Sequence, residues 1–199
     1  AHIIGRHVYW LPTHRDNRWL LTPDELDKLC HQDPTKPRIV ILNYPNNPTG
    51  CSYTDEELKA LAEVARKYKI ILLSDEIYGE LNFEGTHTSI ARHYPEGTII
   101  SSGLSKWCGA GGWRLGTFAF PAALHWLLEG MAAVSSETFT ATSAPIQYAA
   151  VRAFRGGSRI EEYLSHSRRI LKALSDHVCG QLAAKGAMVA PPQGAFYIF

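Results

Sequence analysis

Short continuous runs of apolar residues alternate along this chain with segments whose apolar residues recur at helical spacing. Continuous runs of this length are typical of strands that are buried in a parallel sheet. Turn-forming residues such as glycine, proline and asparagine separate the runs. The predicted strands are residues 38–44, 70–73, 98–100 and 114–120.

Polar residues mark the beginnings of the predicted helices. Thr22 and Thr54 are each followed three residues later by a glutamate, which is the capping-box signature of a helix start. Apolar residues then recur every three or four positions, as on the buried face of a helix. The predicted helices are residues 22–30, 54–68, 121–133, 144–154 and 158–185.

The order of these elements predicts the fold class. Strands and helices alternate in the first part of the chain, and two further strands follow. This order favours an α/β fold with a mainly parallel sheet flanked by helices. The last helix is long for a small domain, so we expect it to bridge to the start of a small α+β domain.

Composition and charge narrow the classes of function. The chain of 199 residues is 45% hydrophobic and 20% charged, with a net charge of +1, which is ordinary for a globular protein. We therefore expect neither a nucleic-acid nor a membrane partner. The first residues do not resemble a secretion leader. The four cysteines lack metal-ligand spacing, so we expect free thiols, no metal site and a cytoplasmic protein.

A loop rich in glycine and serine, residues 101–116, lies between the last two predicted strands and contains Lys106. Its small residues allow a ligand to approach the backbone closely, and its N–H and hydroxyl groups are donors for an anion. A lysine beside aromatic surface suits Schiff-base chemistry. A lone lysine is most often a solvated surface residue, so the surroundings of Lys106 decide its role.

Three polar residues follow the carboxyl ends of predicted strands. Asn47, Asp75 and Lys106 are spaced by roughly thirty residues, about one strand–helix–strand unit. Ligands of parallel sheets bind beyond the carboxyl ends of the strands. We therefore expect these residues to share one pocket.

Such a pocket suits an aldehyde cofactor that has a pyridine ring, a phenolic oxygen and a phosphate. Lys106 is the candidate for the Schiff base, and Asp75 for the group that keeps the ring nitrogen protonated. Tyr78 and Asn47 are candidate donors to the phenolic oxygen. Arg114 and the hydroxyl of Ser105 are candidates for binding the phosphate.

Simpler roles are open for each of these residues alone. Asp75 can cap the turn that follows it, and asparagines such as Asn47 are common in turns. Tyr78 can belong to the core, and Arg114 can pair with any acid. The conjunction of the residues is more specific than any one of them.

Four motifs follow one another along the chain. They are Asn-Tyr-Pro-Asn-Asn-Pro-Thr-Gly at 43–50, Ser-Asp-Glu-Ile-Tyr at 74–78, Ser-Lys at 105–106 with Gly-Trp-Arg-Leu-Gly at 112–116, and Gly-Ala-Phe-Tyr at 194–197. Together they resemble the pyridoxal-phosphate-dependent aminotransferases of fold type I, in the class I/II, aspartate aminotransferase-like family. The resemblance implies the roles given above and pyridoxal 5′-phosphate as the cofactor, with Lys106, Asp75 and Tyr78 as the catalytic residues.

One position departs from the family pattern. Many members carry a phosphate-binding serine three residues before the lysine, and this chain has Gly103 there. Ser102 is one position away, so the phosphate-binding role does not transfer to it.

The resemblance also implies a domain organisation and a longer parent protein. We expect residues 1–157 to be part of the cofactor-binding large domain, without its N-terminal portion. Residues 158–185 are expected to form an interdomain helix, and residues 186–199 the first strand of the small domain. The family's phosphate loop, its ring-stacking aromatic residue and its substrate-binding arginine have no match here. We therefore expect an internal fragment that is inactive by itself.

The function implied for the parent is amino-group transfer between an amino acid and a 2-keto acid, in a ping-pong cycle through a Lys106 Schiff base. Family members usually form homodimers, so a homodimer is expected. One alternative is a C–S β-lyase or an aminocyclopropane-carboxylate synthase type of enzyme on the same fold, because such enzymes use the same residues.

A second alternative is a cofactor-sensing domain of a transcription regulator. A degenerate scaffold protein is disfavoured, because the site residues are intact.

Overall fold

The computed structural model describes residues 2–199. Five α-helices and four strands are the main elements, and short 3₁₀ turns lie between several of them. The strands are β1 Ile39–Asn43, β2 Ile71–Asp75, β3 Thr98–Gly103 and β4 Gly116–Ala119. The helices are α1 Pro23–His31, α2 Asp55–Lys67, α3 His125–Thr138, α4 Ala144–Phe154 and α5 Ser158–Ala184.

The strands form one sheet in the order β1-β2-β3-β4. The pairs β1–β2 and β2–β3 are parallel, which confirms the prediction of a mainly parallel sheet. The edge strand β4 is antiparallel to β3. Residues 104–115, which join the two, form a loop that contains no α-helix. The chain therefore turns back beside β3.

The predicted capping boxes begin α1 and α2. Thr22 Oγ1 accepts a hydrogen bond from the N–H of Glu25 at 3.3 Å, and Thr54 Oγ1 accepts one from the N–H of Glu57 at 3.2 Å. Helix α3 lies later than predicted, because residues 122–124 form a 3₁₀ turn and the helix continues to Thr138.

Helices α1 and α2 build the larger part of the core against one face of the sheet. Their apolar stripes bury side chains that are inaccessible or nearly so. Each buried valine or leucine among them stabilises the fold by about 1.5–3 kcal/mol relative to an exposed one. The buried members from these helices and strands are Leu26, Cys30, Val40, Leu42, Leu58, Leu61, Ala62, Ala65 and Leu72.

Strand β1 is covered on one face only, although its continuous apolar run predicts burial on both. Val40 and Leu42 are buried, whereas Ile39 and Ile41 are 61% and 67% exposed. Within residues 2–199, helices therefore cover β1 on the Val40 side alone.

The strand predicted within residues 186–199 is wrong for the described chain. These residues follow an irregular path, and one isolated antiparallel bridge joins Gly194 to Asn82. Pro191 and Pro192 have no N–H donor, so they interrupt a ladder of backbone hydrogen bonds. The segment instead lies against the loops at the carboxyl ends of the strands.

All four cysteines are unpaired. Among the residues that the structure describes, no helix combines the length and apolarity needed to cross a membrane.

Candidate active site

Two neighbouring strand ends carry the first pair of site residues. In the parallel register Asn43 of β1 lies opposite Asp75 of β2. Asn43 Nδ2 donates to Asp75 Oδ2 at 3.2 Å, and Asn43 Oδ1 accepts the N–H of Asn47 at 2.8 Å. Asn43 therefore connects two residues that the sequence analysis had placed in one pocket. Aligning the ends of the two predicted strands is the sequence signal that would have found it.

Asp75 is partly buried and has capacity for a further partner. Burial raises the pKa of its carboxyl, although hydrogen bonds from Ile77 N–H and Asn43 and the charge of Lys106 act in the opposite direction. Ile77 N–H donates to Oδ1 at 3.4 Å, so Asp75 does cap the following turn as well. Each carboxylate oxygen accepts two hydrogen bonds, and a cationic N–H donor would stabilise the ionised form.

Tyr78 lies in the turn after β2, with only 2% of its surface exposed. Its hydroxyl oxygen is 2.6 Å from that of Tyr197. Asn47 Nδ2 also donates to the hydroxyl of Tyr197, at 3.3 Å. The two predicted donors to a phenolic oxygen therefore meet at one point, on the hydroxyl group of a third residue that the sequence analysis left without a role.

Lys106 extends over aromatic rings from the loop that follows β3. Its Nζ lies 5.6 Å from the ring centroid of Tyr78 and 5.9 Å from that of Phe196. The loop folds back on itself, because Gly109 N–H donates to the carbonyl of Lys106 and Ala110 N–H to that of Leu104, each at 3.2 Å. Lys106 is thus brought into the same site as Asp75, Tyr78 and Asn47.

Arg114 stands apart from this group. Its backbone is in the left-handed region, with φ of 55°, and its Nη1 donates to the carbonyl of Gly111 at 2.6 Å. Within residues 2–199 its guanidinium makes no hydrogen bond to the Lys106 group. Gly111 itself lies beside Ser105, since a Cβ built on Gly111 would be 3.6 Å from the carbonyl oxygen of Ser105. Arg114 and Ser105 therefore face a common stretch of the loop without touching.

A buried polar network lies behind Asp75, and the sequence analysis missed it. Glu76 Oε1 accepts hydrogen bonds from Ser74 Oγ at 2.8 Å and from Ser89 Oγ at 2.6 Å. Its Oε2 lies 2.9 Å from Nε2 of His87. Burial raises the pKa of Glu76, but the hydrogen bonds from His87, Ser89 and Ser74 outweigh it and hold the pKa below its ordinary value. The network attaches the loop after β2 to the strand end that carries Asp75.

The donor set fits the cofactor that the motifs imply. An amine, a partly buried carboxylate, a phenol and an amide face one another at the carboxyl ends of the strands, as the contacts above describe. A pyridine nitrogen, a phenolic oxygen and an aldehyde need these groups as partners. The residues present are therefore compatible with pyridoxal phosphate.

The family model described as "Aminotransferase class I and II" matches residues 1–199. The chain belongs to this family. An aromatic-amino-acid aminotransferase of Thermococcus litoralis is 36% identical over 192 residues, which are 95% of this chain and 48% of that protein. An aspartate aminotransferase of Geobacillus stearothermophilus is 35% identical over 188 residues, covering 92% and 46% of the two chains.

Solved structures of aminotransferases share the fold. A double mutant of the Thermus thermophilus aspartate aminotransferase superposes with a TM-score of 0.91 at 30% identity, over 99% of this chain and 50% of that one. The N-succinyldiaminopimelate aminotransferase of Mycobacterium tuberculosis gives a TM-score of 0.85 at 28% identity, over 98% and 49%. The chain thus spans about half the length of the relatives it matches.

Gly103, the departure from the family's phosphate-binding serine, has a steric reason here. A Cβ on Gly103 would lie 2.6 Å from the carbonyl oxygen of Leu115 and 3.2 Å from Cα of Gly116. Both atoms belong to the backbone that leads into β4, and Gly116 is the direct partner of Gly103 in the sheet. The close approach of β3 and β4 therefore excludes a serine at this position.

We predict that Gly103→Ser destabilises the protein by about 1–3 kcal/mol, because the new side chain must displace backbone rather than a mobile side chain. Urea unfolding measures the effect. Gly112→Ser is the matched control in the same loop, since a Cβ there meets no atom within 4 Å. Equal stabilities of the two variants would contradict the steric explanation.

We predict that Glu76→Gln makes the free energy of unfolding less dependent on pH in acid. Because the pKa of Glu76 is lowered by folding, its charge stabilises the protein above its ordinary pKa of 4.5, and the stabilisation is lost as the pH falls through the folded value. The free energy of unfolding should then fall less steeply below pH 4.5 in the variant. Denaturant titrations at several pH values test this, with the exposed Glu56→Gln as control, and parallel curves for wild type and Glu76→Gln would refute it.

Proposed function

We propose that this protein transfers an amino group between an amino acid and a 2-keto acid, with pyridoxal 5′-phosphate as its cofactor. The observation that carries the proposal is the meeting of Lys106 with Asp75, Tyr78 and Asn47 at the carboxyl ends of β1, β2 and β3. The names of the relatives, which are aminotransferases, support the same reaction class.

Each site residue has a role that follows from its chemistry. Asp75 would hold the protonated ring nitrogen, since a cationic donor offsets the cost of its burial. Tyr78 and Asn47 would donate to the phenolic oxygen. Ser105 and Arg114 would bind the phosphate. One of the five N–H donors of the Arg114 guanidinium goes to Gly111, which leaves the others for an anion.

Lys106 performs the proton transfers in this proposal. When bound, the cofactor supplies an aldehyde that condenses with amines and a ring that accepts electrons. The Nζ of Lys106 would bind this aldehyde, and the amino group of the substrate would displace it. The freed amine would then act as a general base and acid, taking the proton from the substrate Cα and delivering it to the aldehyde carbon of the cofactor. The ring centroids of Tyr78 and Phe196 lie 5.6 and 5.9 Å from this amine. A second keto acid reverses the steps, so we expect ping-pong kinetics.

The domain assignment belongs to the proposal as well. We infer that residues 1–157 are part of a large cofactor-binding domain and that α5 lies within an interdomain helix, residues 158–185. The apolar residues at four-residue spacing on α5, half-exposed or nearly so, support a role for this helix in contacts between domains. They are Ile170, Leu174, Val178 and Leu182. We also propose that the protein is a homodimer and that it is cytoplasmic. The unpaired cysteines support the cytoplasmic location.

We predict that borohydride reduction of the full-length protein with pyridoxal phosphate labels Lys106. Mass spectrometry of the digest locates the label. Lys106→Ala should lose both the label and activity, the latter by about 10²–10⁴-fold or more, because the general base is removed. Lys59→Ala, an exposed lysine on α2, serves as the control. Label at scattered lysines, or full activity of Lys106→Ala, would end the cofactor assignment.

We further predict that more than one equivalent of keto acid per cofactor forms from an amino acid only when an acceptor keto acid is supplied. In a transfer reaction the amino group stays on the cofactor until an acceptor removes it, so turnover stops after one half-reaction without acceptor. The keto acid and ammonia released are measured with and without acceptor. Sustained release of ammonia without acceptor would instead assign an elimination reaction to the site.

A further inference from the structure

The segment after α5 delivers Tyr197 to the site through backbone hydrogen bonds. The N–H groups of Gln193 and Gly194 donate to the carbonyl of Gly50 at 2.8 and 3.1 Å, and the N–H of Ala195 donates to that of Leu81 at 3.1 Å. The position of Tyr197 is therefore set by contacts on both sides of the pocket, and it does not depend on its own hydroxyl.

Close packing at a glycine holds the same segment in place. A Cβ on Gly194 would lie 2.7 Å from Cγ of Pro45 and 2.9 Å from the carbonyl oxygen of Leu81. The segment thus lies directly on the Pro45 turn, which belongs to the same loop as Asn47. The aromatic ring of Tyr197 then packs against Phe196 at 4.9 Å and edge-on to Tyr78 at 5.6 Å, measured between ring centroids.

The hydrogen bonds around the Tyr197 hydroxyl have a direction. The amide nitrogen of Asn47 only donates, so the Tyr197 oxygen is the acceptor of the 3.3 Å bond. The proton of Tyr197 then has the Tyr78 oxygen, 2.6 Å away, as its acceptor. When Tyr197 donates to Tyr78, the hydroxyl proton of Tyr78 is available to another acceptor. If Tyr78 donated to Tyr197 instead, the Tyr197 proton would have no acceptor among the described residues.

The electrostatics of Tyr197 agree with this direction. The hydrogen bond that its hydroxyl makes to Tyr78 favours the neutral phenol and is the main reason that its pKa is raised, with burial as the second. Lys106 is the charged group that faces it and acts in the opposite sense. Tyr197 is thus a protonated donor in this site.

We propose that Tyr197 is a positioning residue that passes a hydrogen bond from Asn47 to Tyr78 and so aims the Tyr78 proton at the cofactor's phenolic oxygen. This inference rests on the proposed function, because it requires that oxygen as the acceptor. Tyr197 acts through Tyr78. Substitution of Tyr197 should therefore affect the bound cofactor only when the Tyr78 hydroxyl is present.

The test is Tyr197→Phe in the full-length protein loaded with pyridoxal phosphate, followed by the pH titration of the absorbance of the Lys106-linked cofactor. Donation by Tyr78 stabilises negative charge on the phenolic oxygen, and a weaker bond makes the neighbouring imine hold its proton more tightly. We expect the titration midpoint to rise by about half to one pH unit, the equivalent of one hydrogen bond. Dissociation of the cofactor should be faster as well.

A double-mutant cycle makes the test specific. Tyr78→Phe should raise the midpoint by at least as much, and adding Tyr197→Phe to it should cause no further rise, because the two act in series. Tyr148→Phe, a tyrosine that is 80% exposed on α4, should leave the midpoint unchanged. Additive shifts in the double variant, or no shift in Tyr197→Phe alone, would overturn the inference.

The outcomes also separate this inference from the proposed function. If Tyr78→Phe shifts the titration and Tyr197→Phe does not, Tyr197 has no positioning role and the cofactor assignment stands. If no Lys106-linked absorbance forms in the wild type, the proposed function fails, and the positioning role fails with it.

Discussion

The parallel pairing of β1 with β2 is the constraint on which the rest of the site depends. It places Asn43 opposite Asp75, so an amide can support the carboxylate and hold the Asn47 loop at the same time. A slip of β1 by one residue would turn Asn43 to the other face of the sheet, away from Asp75. The apolar residues of β1 and β2 that pack on α1 and α2 specify this register, because a slip would also expose Val40 and Leu42. The core therefore determines the geometry of the site.

Contacts between distant parts of the chain complete the site. Tyr197 is 119 residues from Tyr78 and 150 from Asn47 along the sequence, yet its hydroxyl lies within hydrogen-bond distance of both. The site is thus shared between the ends of strands and a segment that has no regular structure of its own. Such a segment is positioned by its backbone hydrogen bonds and by glycines that allow close approach, as Gly194 does against Pro45.

Polar groups behind the site are largely buried and mostly satisfied. Glu76 joins β2 to the loop of His87 and Ser89 by charge-assisted hydrogen bonds, which are stronger than neutral ones. Removing one partner would leave a buried charge that lacks a donor, and this is costly. The loop that precedes β3 is therefore attached firmly to the strand end that carries Asp75. Rigidity at this point suits the role proposed for Asp75, which is to hold one ring nitrogen.

The sequence by itself determined the order and type of nearly all elements, since periodicity, capping boxes and turn residues are local properties. It also predicted a candidate site of Lys106, Asp75, Asn47 and Tyr78, because polar residues that follow buried strands converge in any parallel sheet. Only the tertiary structure decided what depends on distant partners. Four features depend on such partners. They are the uncovered face of β1, the irregular path of residues 186–199, the hydrogen bond from Arg114 to Gly111 and the placement of Tyr197. The physical reason is that a local pattern specifies which backbone can form, whereas these features depend on which surfaces are available to pack against it.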